Sequence, residues 1–184
     1  MRIIVVGATG ILGSTVSARL EDLGHEVVRT SRSSEVQVDL ADPSTLDKLF
    51  ATVSDVDAVV CTAAHAPLKP LLDLTDADFR QVKLDGQLAL FHRAVRALND
   101  GGRIVLTAGR FEGPMCRGAV GAMVNAALES FVENARAELP RGIDATVVSP
   151  GWVSETLALL GRSGGTSAGV VAQSYVEFVV SGGG

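Results

Sequence analysis

The chain has 184 residues, 47% of them hydrophobic and 20% charged, a composition that fits one globular domain and excludes a disordered or fibrous polymer. A formal net charge of -5 leaves no basic surplus for nucleic acid or an anionic membrane surface. No apolar run reaches the length of a membrane span, and glycines break the apolar start where a signal peptide would be continuous, so a cytoplasmic protein is expected.

Short apolar runs alternate with helix-length periodic ones along the whole chain. Strands are predicted at Arg2–Val6, Glu26–Thr30, Val36–Val38, Ala58–Cys61, Arg103–Thr107 and Asp144–Val148. They are short and apolar on both faces, as strands covered by helices on each side must be. Helices are predicted at 11–23, 43–53, 76–99 and 119–139, with a last one at Val170–Val180. Thr75 and Asp78 form an N-cap signal ahead of the third. In that helix Leu84, Leu88, Phe91, Val95 and Leu98 recur at helical spacing, and Val120, Met123, Val124, Ala127, Leu128 and Phe131 do so in the fourth. Strand–helix alternation with short links predicts a single doubly wound parallel-sheet (Rossmann) α/β domain with three α/β/α layers. Gly161–Gly169 reads as a loop and Ser181–Gly184 as a frayed tail. Cys61 and Cys116 have no metal-ligand spacing; each reads as a buried thiol, and no metal site is expected.

The first predicted strand runs directly into Gly7-Ala8-Thr9-Gly10-Ile11-Leu12-Gly13 and then a helix. In that setting Gly7 permits a tight turn, Gly10 lets a pyrophosphate approach the backbone, and Gly13 lets helix and sheet pack closely. The amides from Thr9 through Ile11 and Leu12, at the positive end of the helix dipole, then face the anion. A site for NAD ends its second strand on a carboxylate; here "VVRTSRSS" puts Ser31 in that place, flanked by Arg29 and Arg32. A guanidinium there suits a 2′-phosphate, so NADP(H) is the expected cofactor.

With these features the chain resembles the short-chain dehydrogenase/reductase family from Met1 to about Thr156. The matching pieces, in order, are "GATGILG", "TSR", "VDL", "CTAA", "GGRIVLTAG" and "SPGWVSET". The resemblance implies that Asp39 contacts the adenine amino group, Leu40 lines the adenine slot, and Ala63 and Ala64 pass along the ribose. It also implies that Pro150, Gly151 and Val153 border the nicotinamide and that Thr156 bonds its carboxamide or the phosphates. A homodimer or homotetramer through the helices at 76–99 and 119–139 is expected by the same analogy.

The catalytic centre departs from that pattern. Relatives reduce a carbonyl with a Tyr-x-x-x-Lys pair, a serine and an asparagine; the tyrosine donates the proton, and the lysine cation lowers its pKa. Here the tyrosine position falls on Gly121, the lysine on Asn125, the serine on Ala108 beside Thr107, and the asparagine on Lys83. Lys83 and Asn125 keep one ammonium and one amide with their origins exchanged. They form the candidate catalytic set with His65, after the "CTAA" strand, and Thr107; each also reads as an ordinary solvated or backbone-bonded side chain. The only tyrosine, Tyr175, reads as a packing residue. Arg110, Glu112, Cys116 and Arg117 lie in the loop after the fifth strand, where a substrate would enter. An arginine there could grip a carboxylate or be a solvated loop charge. Only Val153–Gly169 remains to build a substrate lid, and the edge strand usual after the last helix is expected to be missing. Three functions stay open: an NADP(H)-dependent oxidoreductase of carbonyls or activated alkenes with a non-standard proton donor, a non-redox enzyme (cyclase, isomerase or lyase) in the same pocket, and a silent NADP(H)-binding protein.

Overall fold

The computed structural model describes residues 1–63, 68–80 and 82–181. The chain order is β1 (Arg2–Val6), α1 (Ile11–Asp22), β2 (Glu26–Ser31), β3 (Val36–Gln37), α2 (Pro43–Thr52) and β4 (Val56–Cys61). It continues with α3 (Val82–Ala97), β5 (Leu98–Thr107), α4 (Ala119–Ala135), β6 (Asp144–Val148), α5 (Ser154–Leu159) and α6 (Ala168–Val180). The six strands form one sheet, ordered β3-β2-β1-β4-β5-β6, and every pairing is parallel. Strand order reverses between β1 and β4, which opens a crevice at their carboxyl ends, the place where such sheets bind ligands.

Alternation along the central strands sorts the core into two layers. Ile4 and Val6 of β1, with Val59, Ile104 and Leu106, pack against Leu46 of α2, Leu90 of α3 and Leu128 of α4. Ile3 and Val5, with Val60 and Val105, pack against Val16 and Leu20 of α1 and Tyr175 and Val179 of α6. All of these side chains except Val6 are fully buried, and Val6 is nearly so; covering both faces is what makes the strand runs continuously apolar. α2 starts where a capping residue dictates: the Asp42 carboxylate accepts from the Ser44 N–H at 3.0 Å, with Pro43 at the first helical position.

Several expectations need correction. The third helix starts at Val82, not 76, because the Thr75–Asp78 signal caps a separate 3-10 turn at Asp76–Phe79, where the Asp78 carboxylate takes both the backbone N–H and the hydroxyl of Thr75. The third helix also ends at Ala97, and Leu98, expected on its core face, opens β5. Ser154–Leu159 forms α5, too short to show a periodicity, and α6 starts at Ala168, two residues before the predicted start and inside the Gly161–Gly169 span read as a loop, because the Ser167 hydroxyl caps it. Cys116 is exposed, whereas Cys61 is buried as expected. Among the described residues no strand follows α6, and no helix is long and apolar enough to cross a membrane.

Candidate active site

At the end of β1 the chain turns sharply: the N–H groups of Gly7 and Ala8 both donate to the Thr30 carbonyl, at 2.9 and 3.0 Å. Gly7 has a φ of +87°, and a side chain at Gly13 would start 2.1 Å from the Gly7 carbonyl oxygen. The protein's own packing therefore requires both glycines. Gly10 differs, since a Cβ there would meet only the Gly7 carbonyl at 3.4 Å, and the space before it opens onto the cleft. The first bond of α1 runs from the Ser14 N–H to the Gly10 carbonyl, and no side chain caps the helix. The amides of Ile11, Leu12 and Gly13 thus face the cleft as unpaired donors, a fit to a dinucleotide pyrophosphate.

On the β2–β3 side, Ser31 is buried, and its hydroxyl accepts from the Ser33 N–H at 3.1 Å and pairs with the Ser34 hydroxyl at 2.7 Å. That network closes the loop carrying Arg32, which is exposed at the end of β2. Arg29 is turned away from that loop. Its guanidinium pairs twofold with Glu21 of α1, at 2.8 and 2.7 Å, and alternation along β2 points it toward that helix. One Asp39 oxygen accepts from the Ala41 N–H at 2.9 Å, and Gly86 of α3 lies against Leu40. Thr9 is exposed within the turn, while the Ala63 backbone packs against Gly7.

From the glycine turn a cleft of about 560 Å³ runs over the carboxyl ends of β4, β5 and β6. Pro150, Gly151, Val153 and Thr156 line it, along with Thr62, Phe111 and Trp152, which sequence reasoning passed over. Thr62 was hidden in the "CTAA" run although its hydroxyl donates to the Val6 carbonyl at 3.0 Å, tying β4 to the glycine turn. Nothing in the spacing around Trp152 marked it as cleft-facing.

Lys83 and Asn125 come together at the floor of this cleft. The Lys83 ammonium, from the first turn of α3, donates to Asn125 Oδ1 of α4 at 2.8 Å and to the Ala108 carbonyl at 3.0 Å. Both side chains are buried. Burial pushes the Lys83 pKa down to about 8, a shift slightly opposed by the neighbouring Cys61 sulfur. The third valence of the nitrogen, a proton in the ammonium and a lone pair in the amine, is not taken by a protein acceptor among the described residues. Gly121 faces Phe111, whose ring edge would lie 3.4 Å from a Cβ at that position, so an aromatic side chain from the loop fills space beside α4.

Thr107 is not available for chemistry. Its hydroxyl donates to the Cys61 carbonyl and pairs with the Tyr175 hydroxyl at 2.8 Å, so it is turned toward α6 and fully engaged. The β4–β5 ladder ends at Val60–Val105, leaving the Thr107 backbone without a strand neighbour on that side. Gln87 of α3 substitutes for one: its amide carbonyl accepts from the Thr107 N–H, and its NH₂ donates to the Thr107 carbonyl, each at 2.9 Å. Tyr175 is a packing residue, fully buried, and burial raises its pKa. Ala64 and His65 lie outside the described residues.

The profile of the NAD dependent epimerase/dehydratase family matches residues 3–109. No curated protein matches the sequence. Among solved structures, protein lin1944 from Listeria innocua is 35% identical, with a TM-score of 0.92 over 98% of this chain and 94% of that one. A short chain dehydrogenase from Burkholderia cenocepacia in complex with NADP is 23% identical, with a TM-score of 0.83 over 97% and 89%. A small-chain dehydrogenase in complex with NADPH is 22% identical, with a TM-score of 0.84 over 100% and 93%. The latter two show likeness of fold.

Proposed function

The chain belongs to the NAD dependent epimerase/dehydratase family, within the short-chain dehydrogenases/reductases, and on that premise we propose that it is an NADP(H)-dependent oxidoreductase in which Lys83 donates the proton. Its substrate is a carbonyl compound or an activated alkene. The observation that carries this is the Lys83 ammonium, held by Asn125 and the Ala108 carbonyl at the floor of a cleft that begins at an uncapped glycine turn.

The amides of Ile11, Leu12 and Gly13 would hold the pyrophosphate, and Arg32 the 2′-phosphate. Asp39 and Leu40 would hold the adenine; Ala63, Pro150, Gly151, Val153 and Thr156 would border the ribose and nicotinamide. The fold neighbours solved with NADP and NADPH support this choice of cofactor, as does the lack of a carboxylate at Ser31. When bound, the reduced nicotinamide supplies a hydride. The rest of the work falls to this chain: as negative charge develops on the substrate oxygen, the free N–H of Lys83 stabilises it and then delivers its proton. Asn125 acts through Lys83, as a positioning residue. An amine with its pKa near 8 transfers protons readily at neutral pH, which compensates for the missing tyrosine.

The test is loss of NADPH absorbance near ~340 nm with a panel of ketones, aldehydes and enones. Lys83→Met is expected to lower kcat by about 10²-fold or more while leaving the NADPH Kd unchanged. Undiminished turnover in that variant removes Lys83 from the chemistry. The wide groove between α3 and α4, where Phe131 stays partly exposed beside Phe91, supports pairing of two copies through those helices.

A further inference from the structure

We infer that the substrate is an anionic carbonyl compound, a carboxylate on an apolar body, with Arg110 as the residue that holds the carboxylate. This rests on the oxidoreductase function proposed above and adds the substrate class. Although the whole chain is acidic, the described residues lining the cleft include two cations, Lys83 and Arg110, and no carboxylate. The nearest acidic candidate on α5, Glu155, is turned away and occupied: both its oxygens accept from the Ala168 N–H that opens α6.

Arg110 is placed rather than loosely tethered. Its backbone N–H donates to the Pro150 carbonyl at 2.8 Å, which pins the loop after β5 to the end of β6. One residue earlier, Gly109 lies against the Asn125 amide, 3.2 Å from the position of a Cβ, so Arg110 leaves the backbone directly beside the Lys83–Asn125 pair. Among the described residues its guanidinium has no ion pair and no hydrogen bond, unlike Arg29, Arg93, Arg136 and Arg141, each of which holds a carboxylate. An unpaired planar fork at the wall of a cleft without carboxylates is suited to a carboxylate from outside.

The remaining wall sets the body of the molecule. Phe111 and Trp152 line the cleft, with Leu68 and Leu160 at its exposed rim, 45% and 61% accessible. A ligand covering them removes apolar surface from water. Carbonyl oxygen toward Lys83, carboxylate toward Arg110 and an apolar or aromatic remainder against Phe111 and Trp152 match the unpaired groups and the apolar wall at the end of the cleft away from the glycine turn.

The experiment is calorimetry on protein saturated with NADP⁺, which cannot reduce the probes. Phenylglyoxylate is compared with its methyl ester, the same ketone without the charge. The acid is expected to bind at least about tenfold more tightly, a difference of roughly 1.4 kcal/mol. Arg110→Ala is expected to erase the preference while leaving the NADP⁺ Kd unchanged, and Arg110→Lys to retain part of it. An acid that binds no better than the ester, failure of both included, overturns the inference, as does a preference that survives Arg110→Ala. A protein that fails to bind NADP⁺ in the preceding saturation step instead overturns the cofactor assignment beneath it.

Discussion

A lysine buried at a cleft floor titrates where its environment dictates, and Lys83 offers a direct readout. Its charged form is disfavoured by burial, so its pKa falls to about 8 and carbonyl reduction is expected to decline as pH rises through that value. Oxidation of the corresponding alcohol needs the amine and should rise over the same interval. Asn125→Ala removes an acceptor that favours the ammonium, so the midpoint of the reduction profile should move to lower pH; an unmoved midpoint would leave Asn125 a purely structural residue. The glycine turn separates folding from binding in the same way. Gly13→Ala drives a methyl onto the Gly7 carbonyl and is expected to cost about 3 kcal/mol in chemical denaturation. Gly10→Ala has room within the protein and a φ of -78°, so it should fold normally and weaken NADPH binding instead. If both variants lose stability equally, Gly10 serves packing and not the ligand.

At the scale of elements, the end of β5 depends on groups from both faces of the sheet. Gln87→Leu strands a buried N–H and a buried carbonyl of Thr107 and is expected to destabilise by about 2–3 kcal/mol; Tyr175→Phe removes one neutral bond to the Thr107 hydroxyl and should cost only about 1 kcal/mol. Comparable losses in the two variants would mean that Gln87 does not act as the strand's substitute neighbour. The Gln87 clamp could not be anticipated, because where β4 stops pairing with β5 is a property of the assembled sheet. The strands themselves were legible, since two covered faces force continuous apolar runs such as Ile3–Val6. The start of α3 was not, because Thr75 and Asp78 cap a short turn as well as they would a long helix, and local chemistry does not distinguish the two. Residues joined across the fold behaved alike: Lys83 and Asn125 are far apart in sequence, and only resemblance brought them together, whereas the diversion of Arg29 to Glu21 and of Thr107 to Tyr175 left no local trace.

At the scale of the whole molecule, two copies paired through α3 and α4 would cover the groove lined by Phe91, Val95 and Phe131. Sedimentation is expected to find a dimer or tetramer, and Phe131→Glu to release monomers by burying a charge without a partner; a monomeric wild-type protein would contradict the pairing. The doubly wound parallel sheet was implied by the alternation of strand and helix, whereas the strand order, with its reversal between β1 and β4, and the cleft above that point are properties of the assembled sheet. In the proposed assignment, cofactor choice turns on a single exposed side chain, Arg32. A charge-assisted bond to a phosphate is worth roughly 1.5–3 kcal/mol. Titration of NADPH and then NADH into the protein is therefore the most direct measurement. NADPH should bind about tenfold or more tightly than NADH, and Arg32→Ala should remove the difference; no binding of either nucleotide would contradict the assignment of the cleft altogether.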